Sequence, residues 1–162
     1  MTGRFSPLRS KYLSLGLGEL AAVAVFATAA LLWQDKLATS GALAALWCAL
    51  LPLLVVLLQA GVYWLLARSW ITSGRMPPPT AQIFRVLRVI NPIILIAGLV
   101  GVIATFPAGP FAAAIVLLVW AFGAIEYINY YIVRLSYPWT QWASEVGHWR
   151  TPKLIKDIRA VH

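Results

Sequence analysis

The stretch FAAAIVLLVWAFGAIEYINYYIVRL, residues 111–135, decides how this chain is read. Its first fifteen residues carry no charge and show no strand-like alternation. Coiled as a helix at about 1.5 Å per residue, the stretch is long enough to cross the ~30 Å hydrocarbon core of a bilayer. A carboxylate, Glu126, then stands inside it, with Asn129 three residues on. At the helical period, Glu126, Asn129, Tyr130, Arg134 and Tyr137 share one face, and Ile125, Ile128, Ile132 and Leu135 share the opposite one. One stripe suits lipid, the other protein or a cavity.

Outward from it lie three more apolar stretches, at about 12–33, 42–66 and 83–105. Each is near the roughly 20 residues a spanning helix needs. Of the 162 residues, 61% are hydrophobic and 11% charged, where a soluble domain is about a quarter charged. The expected fold is an all-α integral membrane protein: a four-transmembrane-helix bundle forming one membrane domain over 1–162, with residues 138–162 as a tail. The apolar run of the first stretch exceeds the roughly 7–15 residues of a signal-peptide core, so a retained helix is expected.

Net charge is +8. The basic residues sit on the flanks of the spans rather than in one patch, which argues against nucleic acid as a partner and for anionic lipid headgroups. Twelve of the thirteen Lys and Arg fall on one side of the proposed membrane; only Lys36, beside Asp35, falls on the other. By the positive-inside rule both termini face the cytoplasm. With no organelle-type leader, a bacterial inner membrane is the expected location.

The connections differ in stiffness. Phe106 to Pro110 reads as a tight turn that makes spans three and four antiparallel neighbours. Ser73 to Thr80, with three consecutive prolines, is expected to cap the start of span three. Pro138 is expected to break the fourth helix, and Trp139, Trp142 and Trp149 suit a segment in the headgroup layer. Thr151-Pro152 reads as the cap and first residue of an amphipathic interfacial C-terminal helix. Leu154, Ile155 and Ile158 would form one face, with Lys153, Lys156 and Arg159 towards headgroups.

Each span carries a polar group at nearly one level. Counting from the basic ends at about 1.5 Å per residue puts Glu19, Gln59, Asn91 and Glu126 about 9–13 Å deep in the cytoplasmic half. An intramembrane carboxylate is expensive and seldom idle. The candidate ligand- or ion-binding set is therefore Glu126, Asn129, Tyr130, Glu19, Asn91 and Gln59. Gln59 and Asn91 equally suit interhelical hydrogen bonding. Glu126 has a possible partner in Arg88 or Asn91, and Glu19 in Arg85. Arg88, Arg134 and Arg85 are candidate ion-pair or anionic-headgroup residues. Pro92, next to Asn91, frees a carbonyl one turn earlier. Gly98 and Gly101, with the alanines of span one, mark sites of close helix approach.

No phosphate loop, dinucleotide fingerprint, zinc-protease motif or GxSxG elbow occurs. No metal or cofactor is expected. Cys48 reads as a small buried residue. His148 and His162 lie outside the spans, and His148 would reach Glu126 only if the tail folds back. Three functions fit. One is binding or translocation of an ion, proton or small molecule. A second is a non-catalytic subunit or scaffold of a membrane complex. The third is an enzyme on a lipid or isoprenoid, with Glu126 as acid or base. Four spans leave little interior, so a homo-oligomer or a larger membrane partner is expected.

Overall fold

The computed structural model describes residues 6–39, 41–135 and 151–161. Tyr137, Pro138, the three tail tryptophans and both histidines lie outside them. The described residues form five helices and no strand: α1 (Ser6–Thr39), α2 (Leu43–Ala67), α3 (Pro78–Ala104), α4 (Pro110–Tyr131) and α5 (Lys153–Arg159). The first four are long and apolar enough to cross a membrane. Even the shortest, at 22 residues, is about 33 Å long.

α2 is the centre of the bundle and packs against α1, α3 and α4. Half of its most apolar window is buried, against 22% for α3 and 11% for α1 and α4. That is the pattern of a core helix with three others whose outer faces meet lipid. The α3 side chains Ile83, Val86, Val89, Ile93, Ile96, Val100 and Ile103 are all exposed.

Two tight turns set the antiparallel neighbours. Between α1 and α2, Gly41 adopts φ +70°; its N–H reaches the Ala38 carbonyl while the Ala42 N–H reaches Leu37 O at 2.9 Å. This paired ending needs a left-handed residue, which glycine supplies without strain. Between α3 and α4 the expected turn falls at 105–109, and Pro110 opens α4. The proline-rich loop delivers Pro78 as the first residue of α3, five residues before the expected start. Arg85 and Arg88 therefore sit in its second and third turns rather than in its first two.

Both helix-interior prolines free a carbonyl, and both carbonyls are put to use. Pro52 leaves Cys48 O without its usual donor. α3 closes on that point through Gly98, where an added Cβ would lie 2.5 Å from Cys48 O. Pro92 leaves Arg88 O free, and the Tyr127 hydroxyl donates to it at 3.0 Å, tying α4 to α3.

α4 departs from its expected length. It ends at Tyr131 rather than Leu135, well before Pro138. The Val133 N–H bonds Ile128 O at 2.8 Å, a wider turn than the α-helix makes. The Asn129 amide oxygen accepts the Leu135 N–H at 2.8 Å. A side chain that competes for backbone donors in this way ends a helix locally. Arg134 thus lies beyond the helix rather than on its face.

α5 packs on α3 and α4. Leu154, Ile155 and Ile158 are buried with Tyr63, Trp70, Phe84 and Tyr131 in an aromatic-rich cluster at this end of the bundle. The second, mostly aliphatic cluster fills the opposite half. α5 begins at Lys153; Pro152 precedes it and no side chain caps it, so Thr151 does not take the capping role expected.

Candidate functional site

The expected polar cluster separates into two groups. The first is a closed amide triad. Gln59 Nε2 donates to Asn91 Oδ1 at 2.9 Å, and Asn91 Nδ2 donates back to Gln59 Oε1 at 2.8 Å. The Tyr131 hydroxyl adds a third bond to Gln59 Oε1 at 2.8 Å. Asn91 is 1% exposed and Tyr131 likewise. Three helices are joined here, and the amide pair satisfies itself. This arrangement holds helices together, and none of its three residues lines the cavity of the second group.

The second group lines a cavity of about 350 Å³ between α1, α2, α4 and α5. Glu19 enters from α1, and Glu126, Asn129 and Tyr130 from α4. Tyr130 donates its hydroxyl to Glu19 Oε1 and accepts the Trp64 indole N–H at 3.1 Å. One carboxylate is thus positioned by a chain running from α2 through α4 to α1. Neither Glu19 nor Glu126 forms an ion pair with a Lys or Arg among the described residues. Glu126 has neither of the partners expected for it: Asn91 is engaged by Gln59, and Arg88 is exposed on α3, away from the cavity. Arg85 does not pair with Glu19; its Nη2 donates to the Ile158 carbonyl at 3.2 Å, pinning α5 to α3. Of the three expected arginines only Arg134 reaches the cavity, joined there by Lys11 and Lys153.

Why a cavity opens at this place follows from the packing. α1 and α4 both lie against α2 but share little contact with each other. The Phe26 and Phe122 rings meet across the seam at 5.8 Å. On one side of that bridge lies the polar cavity. On the other lies an apolar groove of about 310 Å³, with Trp33, Leu50 and Val119 among its walls.

Sequence reasoning missed Asp157. It is 8% exposed and gathers three partners: Tyr63 OH at 2.9 Å, Trp70 Nε1 at 3.2 Å and Lys153 Nζ at 2.8 Å. A buried carboxylate is tolerated when its oxygens are this well supplied. It locks α5 over the bundle end, and Pro152, Lys153 and Leu154 become part of the cavity wall. The signal in the sequence was one acid on an otherwise basic helix, four residues after Lys153 and on the side of Leu154 and Ile158. The aromatic wall (Tyr12, Tyr63, Trp64) was also not singled out. These rings look like interface residues until tertiary structure turns them inward.

Among the described residues no group of three or more His, Cys, Asp and Glu gathers as a metal-ligand set. No family model, curated protein or solved structure matches the chain.

Proposed function

We propose that this chain is a small polytopic membrane protein that binds a cation in the cavity between α1 and α4 and carries it into or across the bilayer. The observation that carries the reading is the pair Glu19 and Glu126. They come from the two helices that flank one cavity, and no Lys or Arg among the described residues ion-pairs with either. Two half-buried carboxylates on separate helices repel in a low-dielectric site unless something positive joins them. A ligand cation is the natural third party. The cavity volume lies in the range of small-molecule sites.

In this reading the cavity opens to the cytoplasmic leaflet, both termini face the cytoplasm and α5 lies at the headgroup layer, as the flanking positive charge requires. Anionic headgroups are the partners of Lys156 and Arg159, both on the open side of α5. The closed Gln59–Asn91–Tyr131 triad serves the bundle and not the ligand. The lipid-enzyme alternative loses half of its phosphate clamp, because Arg88 does not reach the cavity that Arg134 lines.

The test is thermal stabilisation of the purified full chain in detergent, across a panel of inorganic and organic cations. A saturable upward shift with one cation class in the wild type, lost in both Glu19→Gln and Glu126→Gln, supports the reading. The same response in wild type and both variants overturns it.

A further inference from the structure

We infer that the ligand of this cavity is an organic ammonium ion, an alkylated or quaternary amine, rather than a bare inorganic cation. The inference rests on the cation-binding reading above and adds the ligand's chemical class.

Three aromatic rings, Tyr12, Trp64 and Tyr130, line the cavity together with the two carboxylates, and Tyr63, itself fully buried, packs behind Trp64. They make a continuous wall: the Tyr12 and Trp64 centroids are 5.0 Å apart, and those of Tyr63 and Trp64 are also 5.0 Å apart. Hydrogen bonds fix its edges, since Trp64 and Tyr63 have their polar tips engaged by Tyr130 and Asp157. The negative faces of such rings attract a soft, weakly hydrated cation, and an aromatic cage is the recurring device for alkylated ammonium groups. A hard metal ion asks instead for six or more oxygen ligands at short range. This cavity offers two carboxylates on different helices, each already accepting a side-chain hydrogen bond, Glu19 from Tyr130 and Glu126 from Asn129.

The folded chain contains its own instance of the chemistry. The Lys153 ammonium lies 5.7 Å from the Tyr12 ring centroid while it pairs with Asp157. The wall therefore already receives an alkylammonium at one edge, tethered on α5. Its charge is matched by Asp157, which leaves Glu19 and Glu126 for a second, diffusible one. Lys11 and Arg134, the other cations of the lining, are exposed; at the mouth they favour ligands that carry an anionic or polar group beside the amine.

The experiment is isothermal titration of the full chain in lipid nanodiscs. The probes are choline, tetraethylammonium, the uncharged carbon isostere of choline (dimethylbutanol), sodium and potassium. The expected result is saturable binding of a quaternary ammonium, with no binding of the neutral isostere and no competition from sodium or potassium. Tyr12→Leu should weaken it about tenfold while Tyr12→Phe, which keeps the ring, stays within about twofold of wild type. Saturable sodium or potassium binding, indifferent to Tyr12→Leu but lost in Glu126→Gln, would overturn the ammonium class and leave the cation site standing. Equal binding of choline and its neutral isostere would overturn both. So would the absence of any cation binding, provided the variants and the wild type melt alike.

Discussion

Asn91 shows what a single buried amide does in this bundle. It is held by Gln59 on both sides, and Tyr131 completes the set. Replacing Gln59 with Leu removes both of its bonds to Asn91 and the one from Tyr131, and leaves the Asn91 amide and the Tyr131 hydroxyl only each other at almost zero exposure. We expect a loss of about 1–2 kcal/mol, read as a lower midpoint in denaturant titration of the purified protein. Glu126→Gln changes a cavity-facing group with no ion pair and relieves its repulsion with Glu19, so its midpoint should stay at or above the wild-type value. If the two variants lose stability equally, the division between a structural triad and an open site is wrong. The depth of Glu19, Gln59, Asn91 and Glu126 was legible in the sequence because it follows from counting from the basic flanks; Tyr131 and the aromatic wall were not. The division between the two groups was not legible either, because depth says nothing of which helix faces which.

Among the elements, α5 carries more than its seven residues suggest. Its apolar face is buried on the bundle, and Asp157 is its lock. Asp157→Ala strands Tyr63 and Trp70 and frees Lys153, at a cost of about 2 kcal/mol. Hydrogen exchange in α5 should then speed about 30-fold while α2 keeps its protection. Unchanged α5 protection would mean that the apolar contacts alone hold it. At the other close approach, Gly98→Val pushes a side chain into Cys48 O and Pro52. Overpacking of this kind costs about 1–3 kcal/mol, visible as a lowered thermal midpoint, whereas Gly18→Ala, with open space at its Cβ inside α1, should stabilise by up to about 1 kcal/mol. The amphipathic pattern of α5 and the packing role of Gly98 were readable from sequence. The early end of α4 was not: it follows from Asn129 turning back on the Leu135 N–H, a local competition that helical periodicity does not register.

For the whole molecule, four spans and their order followed from hydropathy, because lipid forces every backbone bond into a helix. The centrality of α2 had no comparable signal; all four spans look alike in composition until their faces are paired. The proposed orientation rests on the charge of the flanks and is directly checkable. In a Cys48→Ala background, Ala108→Cys in the α3–α4 turn should react with a membrane-impermeant thiol reagent in intact cells. Ser73→Cys in the α2–α3 loop should react only after permeabilisation. The reverse pattern would place the cavity at the outer face.

The central claim is that the α1–α4 cavity holds a cation through Glu19 and Glu126. The most direct measurement is native mass spectrometry of gently released wild-type protein beside Glu126→Gln, each with an organic ammonium titrated in. The claim predicts a discrete adduct of the ammonium's mass on the wild type that saturates at one per cavity and is lost from an otherwise identical assembly of the variant. The same adduct on both proteins, or none on either while the fold is intact, would contradict it.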